Sequence, residues 1–223
     1  SVLKYPLIVK HPQGYASIGM THRSKCLLFD DVIREVEVFV NKYQCALVEE
    51  FIVGDEVTVL AVATPAGTKV LPPVRVNFPP GEDFKHFNLK WKDYDNMKWV
   101  PVPDDDPARA EIERVGKVAF EKILGGVGYG RSDLRIDRAT NQVYFLEINP
   151  NPAVLFAPVE EMSADWVLKL DPVFNHRDFI KACIDTAFLT HQKRQPLYKV
   201  AFDPVKGYHV IAARHLAKGT VVF

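Results

Sequence analysis

Residues 130–149 constrain this chain more than any other stretch. Two runs, GRSDLRID and QVYFLEI, lie on either side of a short polar turn. Their polar and apolar residues alternate, which is strand patterning, because successive side chains of a strand point to opposite faces. Arg131, Asp133, Arg135 and Asp137 share one face of the first run. Val143, Phe145, Glu147 and Asn149 share one face of the second. A register pairing Asp137 with Val143 sets Asp133 opposite Glu147 and Arg131 opposite Asn149. Two carboxylates directly opposed repel. A hard divalent cation removes that repulsion, and Asp, Glu and Asn oxygens are the ligands Mg²⁺ takes, with phosphate completing its shell. Arg131 then offers a bidentate fork for phosphoryl oxygens. The same pattern also reads as a solvated strand face whose charges alternate. The flanking Leu134, Ile136, Tyr144, Leu146 and Ile148 favour a packed sheet with one polar face.

The rest of the chain supplies elements to surround such a sheet. Residues 5–10 (YPLIVK) read as a short buried strand. Residues 30–43 read as a helix, with Val32, Val36, Phe39 and Tyr43 at helical spacing and acidic residues in the first turn. Residues 46–53 and 56–63 are β-rich runs separated by Gly54-Asp55, which is hairpin chemistry. Residues 68–76 read as a strand that Pro72-Pro73 confine to an edge or a bulge. Asp106-Pro107 marks a helix start and Gly125-Gly126 its end. A Pro-broken loop after Asn149 and a helix over about 177–189 follow. Residues 77–105 show no periodicity but carry Phe78, Phe84, His86, Phe87, Trp91, Tyr94 and Trp99. That aromatic content argues for an ordered lid rather than disorder.

Two further segments have the composition of a phosphate and nucleotide site. Residues 14–21 (GYASIGMT) imitate a Walker A loop, but Met20 stands where that motif requires lysine. Gly14, Ala16, Ser17 and Gly19 still permit close approach of backbone to phosphate, and Lys10 ends the preceding strand. An ordinary tight turn is the alternative. In residues 48–56 (VEEFIVGDE), acidic side chains sit in an apolar run, which is costly unless they are paired, ligand-bound or on a wet face.

Taken in order, YPLIVK, HPQGYASIGM, LVEEFIVGDEVTV, GVGYGRSDLRID and VYFLEINPNP resemble the ATP-grasp superfamily, most closely its D-alanine–D-alanine ligase-like branch. The resemblance covers residues 1–190. It implies an α+β ATP-grasp fold, with antiparallel sheets and flanking helices sandwiching ATP. Residue by residue, it implies that Lys10 contacts the α/β phosphates and that the loop around Ser17 closes over them. Glu49 accepts from the adenine amino group, the backbone of Glu50 and Ile52 reads the adenine edge, and Glu56 holds the ribose. Lys90 reaches the γ-phosphate, and Arg131 stabilises the transferring phosphoryl group. Asp133, Glu147 and Asn149 match the ligands of two Mg²⁺ ions, with Mn²⁺ as an alternative metal. The implied reaction is ATP-dependent ligation of a small-molecule carboxylate to an amine through an acylphosphate. A small-molecule kinase and a regulatory nucleotide-binding module are the alternatives. One departure is Pro150-Asn151-Pro152-Ala153, where the related ligases carry a glycine in the loop that seats the second substrate.

The chain opens without Met and stops in the apolar run TVVF, so the expectation is a fragment lacking the family's N-terminal domain. Residues 191–197 read as a linker. Residues 198–223 resemble the opening strands of a SET methyltransferase domain, or form a terminal β-hairpin; the first reading implies a fused methyltransferase. Zero net charge, from 28 basic and 28 acidic residues, argues against binding nucleic acid by bulk electrostatics. The longest uncharged apolar stretch, residues 57–67, is too short to span a bilayer. Cys26, Cys45 and Cys183 read as reduced buried thiols rather than a disulfide frame, which suits a cytoplasmic protein.

Overall fold

The computed structural model describes residues 3–194, 198–205, 207–213, 215 and 218. Strand β1 (Leu7–Lys10) is followed by a loop, a 3₁₀ turn (His22–Ser24) and the short β2 (Lys25–Cys26). Helix α1 (Phe29–Tyr43) and β3 (Leu47–Glu50) come next, and the three strands form a sheet in the order β2-β1-β3. The alternation of β1 sends Leu7 and Val9 against Val32 and Phe39 of the helix. Its other side, carrying Ile8 and Lys10, faces the rest of the molecule.

The larger sheet is built from β4 (Asp55–Thr64), β5 (Gly67–Val70), β6 (Val74–Asn77), β7 (Lys98–Pro101), β8 (Tyr129–Asp137) and β9 (Gln142–Asn149). Its order is β7-β6-β4-β8-β9, with β5 on β4, and every pairing is antiparallel. Helix α3 (Arg109–Ile123) covers one face through Ile112, Phe120 and neighbours. Helices α4 (Ser163–Leu170) and α5 (His176–Arg194) cover part of the other, burying Leu60, Val62, Ala164, Leu168 and Phe179 together. The short α2 (Phe87–Trp91) lies between β6 and β7. Strands β10 (Tyr198–Asp203) and β11 (Gly207–Ala212) form a separate antiparallel hairpin.

Several expectations fail for identifiable reasons. The runs on either side of Gly54 are not a hairpin: β3 pairs with β1 in the small sheet and β4 joins the large one. Residues 51–54 are instead the crossing between sheets, and Arg135, not a ladder partner, takes the carbonyls of Ile52 and Gly54 at 2.6 and 2.9 Å. Pro72-Pro73 split one expected strand into two, and β6 is internal rather than at an edge, because the expected ordered lid over residues 77–105 contributes β7 beside it. The helix after Asp106 starts at Arg109, although the Asp106 carboxylate does accept from the Ala108 N–H at 2.9 Å. Helix α4 was unexpected, and α5 runs to Arg194, into the proposed linker. Residues 195–197, and 206, 214, 216–217 and 219–223 of the proposed SET segment, lie outside the described residues.

Cys26, Cys45 and Cys183 are all free thiols, but only Cys26 is buried, and the other two are half-buried. Cys26 is buried, and burial, with Glu35 and Asp31 nearby, pushes its thiol up to about 11. Among the described residues, no helix is long and apolar enough to cross a membrane.

Gly54 has φ +148°, and a Cβ there would stand 1.9 Å from the carbonyl oxygen of Ile136. Backbone cannot yield as a flexible side chain can. Gly54→Ala is expected to cost at least about 2 kcal/mol in urea unfolding, as forced contacts in packed regions do; an unchanged midpoint would show that the crossing is not held against β8.

Candidate active site

The two sheets face each other across a cleft lined by Ile8, Lys10, Ser17, Glu49, Glu50, Ile52, Glu56, Lys90, Asp133 and Glu147, among others. Nine of the predicted site residues therefore meet in one place. Arg131 and Asn149 stand directly behind the lining, hydrogen-bonded to Asp133.

Strand register builds the floor. Thr58 of β4, Asp133 of β8 and Glu147 of β9 form one row across the sheet, with Glu56–Arg135 on one side of it and Leu60–Arg131–Asn149 on the other. Asp133 accepts from Arg131 Nε and Nη2 at 3.1 and 2.7 Å, from Thr58 Oγ1 at 3.0 Å and from Asn149 Nδ2 at 3.3 Å. Asn149 Nδ2 also reaches Glu147 Oε1 at 3.2 Å. Burial alone would push the Asp133 carboxyl up. Arg131, Lys85 and Lys90 outweigh it and hold the group down at about 2.

The expected register holds for Asp133–Glu147 and Arg131–Asn149 but not for Asp137, which pairs with Gln142. A bulge intervenes between Asp133 and Leu134. Below it, Phe145 opposes Leu134, and Val143 opposes Ile136 and packs with it under α3. Val143 and Phe145 therefore do not share the face of Glu147 and Asn149. The bulge also turns Leu146 into the cleft beside Glu147. With Ile8, Ile18 and Phe84, Leu146 gives the cleft apolar as well as charged lining.

The roof comes from β1, β3, the glycine loop and the lid. Lys10 and Glu49, on neighbouring strands, form an ion pair. Ala16 and Ser17 both have positive φ, near +56° and +59°, so the loop turns sharply. It is docked on the lid: Ser17 Oγ donates to the Lys85 carbonyl at 2.7 Å, Trp91 Nε1 to the Ala16 carbonyl at 3.1 Å, and the Phe87 N–H to the Met20 carbonyl at 3.1 Å. Lys90, carried by α2, is held below the ordinary lysine range by burial and by the nearby Arg131 and Lys85. Among the described residues it has no ion-pair partner. A cation in that state gains from the arrival of an anion.

Sequence reasoning missed two residues here. Lys85 ion-pairs with Glu56 at 2.8 Å and lies over the Trp99 ring. Arg135 reaches Glu56 at 3.3 Å and the Asp83 carbonyl at 3.0 Å, holds the crossing segment, and lies 4.4 Å from the centroid of the Phe51 ring. The charge alternation of β8 displayed Arg135, but nothing in the chain marks its distant partners. Glu56 is thus clamped by two cations. The Ile52 carbonyl is taken by Arg135, so its N–H is the group left to read a ligand.

The fold and the cleft together are those of an ATP-grasp protein. Residues 1–158 match the family model described as the D-ala D-ala ligase C-terminus, and the chain belongs to that family. D-alanine–D-alanine ligases from Methylibium petroleiphilum and Polaromonas sp. are 34% and 31% identical, over 73% and 86% of this chain and 49% and 54% of their own lengths. The chain spans about half the length of these curated relatives. The D-alanine–D-alanine ligase of Bacillus anthracis, 19% identical, superposes over 86% of this chain and 57% of its own with a TM-score of 0.61. The same enzyme complexed with ATP gives 0.58, at 17% identity and with 86% and 55% covered. The VanG D-Ala:D-Ser ligase of Enterococcus faecalis gives 0.61, at 20% identity and with 82% and 49% covered.

Two outcomes test the electrostatics. The unfolded Asp133 carboxyl titrates near 3.8 and the folded one at about 2. Its ionised form therefore stabilises the fold fully above about pH 4, and that contribution disappears as pH falls toward 2, a difference of about 2 kcal/mol. The stability gap between the wild type and Asp133→Asn in urea should narrow by about that amount between pH 5 and pH 2. Arg135→Met leaves buried carbonyls and Glu56 short of a partner, and should cost about 3–5 kcal/mol by the same measurement.

Proposed function

We propose that this chain provides the ATP- and Mg²⁺-binding part of an ATP-dependent carboxylate–amine ligase of the D-alanine–D-alanine ligase kind. One observation carries the reading. Lys85, Lys90 and the opposed acids Asp133 and Glu147 line one cleft together with the apolar Ile8, Ile18, Phe84 and Leu146, and Arg131 stands behind it on Asp133. A triphosphate on a planar base calls for that same mixture of cations, metal-binding acids and apolar surface.

In this reading Ile8, Ile18, Phe84 and Leu146 bury the base, and Glu49 with the Glu50 and Ile52 backbone reads its polar edge. Glu56, already fixed by Lys85 and Arg135, accepts from the ribose hydroxyls. The Lys10–Glu49 pair opens so that Lys10 turns to phosphate. The 14–20 loop, with Ser17 at its tip, keeps water out. Lys90 and Arg131 lie where charge gathers on the transferring group, and such preorganised charge is commonly the largest catalytic contribution.

The donor set fits Mg²⁺. Asp133, Glu147 and Asn149 offer hard oxygens, and Glu147 is exposed to the cleft. Asn149 now directs its amide N–H toward both carboxylates, so its Oδ1 would have to turn inward. Bound there, Mg²⁺ would neutralise phosphate charge and orient the phosphoryl group; two ions, and Mn²⁺ as a substitute, belong to the same proposal.

Ligation joins a small carboxylic acid, activated by phosphorylation, to an amine. Residues 150–162 border the second-substrate side, and Asp165 ties this loop down through the N–H groups of Leu155 and Met162 at 2.6 and 3.1 Å. The Pro-Asn-Pro-Ala sequence there makes D-alanine one candidate substrate among small amino acids. A cytoplasmic location is a finer part of the proposal; for residues 198–223, the β10–β11 hairpin suits a terminal hairpin and a SET-like beginning alike.

Calorimetry with ATP should show binding that requires Mg²⁺. Lys10→Ala should weaken it at least about tenfold, the scale of a lost charge-assisted phosphate contact, and Glu147→Gln should raise the Mg²⁺ concentration that this binding requires. ADP formation dependent on both an acid and an amine marks a ligase. A stable phosphorylated product without an amine would instead mark a kinase.

A further inference from the structure

Outside the cleft, His22, Glu82 and His86 bring their side chains together. His22 Nε2 lies 3.2 Å from Glu82 Oε1, and His86 Nε2 lies 3.0 Å from Glu82 Oε2. The two imidazole rings are 4.0 Å apart, and the three candidate donor atoms all fall within 4.8 Å of one another. The His86 side chain is 2% exposed, that of Glu82 16%, and that of His22 62%.

We propose that these three side chains bind Zn²⁺, and that the ion fastens the lid to the segment following the glycine loop. Zinc takes imidazole nitrogen and carboxylate oxygen at about 2.0–2.2 Å in a tetrahedron, which places ligand atoms about 3.3 Å apart. The observed 3.0 and 3.2 Å separations run to the two different oxygens of Glu82, so the carboxylate must turn to offer one oxygen and the three donor atoms, now within 4.8 Å of one another, must draw in to that spacing. Two His and one carboxylate also exclude Mg²⁺ and Ca²⁺ as preferred occupants, because those ions select all-oxygen shells. The open side, at His22, leaves a fourth position for water.

His86 Nδ1 accepts from the Leu89 N–H at 3.4 Å, a long contact, so in the metal-free chain the ring proton sits on Nε2 and is shared with Glu82. Zinc at Nε2 moves that proton to Nδ1 and replaces the Leu89 contact. The lid helix α2 exchanges a weak cap for a metal anchor.

The ligands come from two distant stretches. His22 opens the 3₁₀ turn after the glycine loop, while Glu82 and His86 lead into α2. The hydrogen bonds Ser17–Lys85, Phe87–Met20 and Trp91–Ala16 already join the same two stretches. Zinc closes this seam at its outer end, so the metal-bound chain holds α2 against the loop. Any effect on nucleotide entry rests on the function proposed above; zinc binding itself does not.

The test uses the chelator-treated chain without nucleotide. Cobalt(II) should produce the intense visible bands of a tetrahedral site at one equivalent, and Zn²⁺ should bleach them. In His22→Ala, whose lost side chain is exposed and leaves the fold intact by circular dichroism, Zn²⁺ affinity should fall at least about tenfold. Zinc should also slow amide hydrogen exchange over residues 82–92 in the wild type and not in that variant. Absence of one-equivalent binding, or equal affinity in His22→Ala, overturns the site. Cys45 Sγ lies 3.9 Å from His11 Nε2, and binding lost instead in Cys45→Ala would place the metal at that pair and overturn the proposal equally. Binding at His22 without slowed exchange would overturn the fastening role.

Discussion

Strand β8 carries Arg131, Asp133 and Arg135 on a face almost wholly removed from water, and these charges hold one another and their surroundings in place. Buried charge is tolerable only when paired and hydrogen-bonded. Asp133 meets that condition through Arg131, Thr58 and Asn149 on three strands. Arg135 meets it through Glu56 and three backbone carbonyls. The two sheets, the crossing between them and the lid are all tied to this one strand.

The same network explains why the cleft stays charged without falling apart. Burial, with the positive Arg131 and Lys85 nearby, depresses the Lys90 pKa, and Asp133 and Glu147 work against that shift. Lys10 and Glu49 neutralise each other. In the function proposed above, a ligand with phosphate and metal would exchange these internal partners for external ones, and only Lys10, the Asn149 amide and the loop over them would need to move.

Much of this was visible in the residues. The alternation along 130–149 showed which face was polar and set Asp133 against Glu147, and the α1 stripe and the Gly125-Gly126 stop marked their helix limits. What failed was pairing at a distance. Gly54-Asp55 has turn chemistry, yet no local rule tells whether the strands on either side pair with each other or with different neighbours. The bulge at Leu146 changes the face of Val143 and Phe145 without any glycine or proline to mark it. Lys85 and Arg135 looked like ordinary surface charges because their partners lie 29 and 79 residues away.

The sequence by itself determined the polar strand face, the acids and cations available for phosphate and metal, and the family pattern that orders them. Those are local facts, written in the two-residue period and in residue chemistry. The tertiary structure decided which of them meet. It sent β3 and β4 into separate sheets, turned Leu146 inward and brought His22 beside Glu82 and His86. Each of those outcomes depends on packing between segments tens of residues apart, and chain order alone does not encode that proximity.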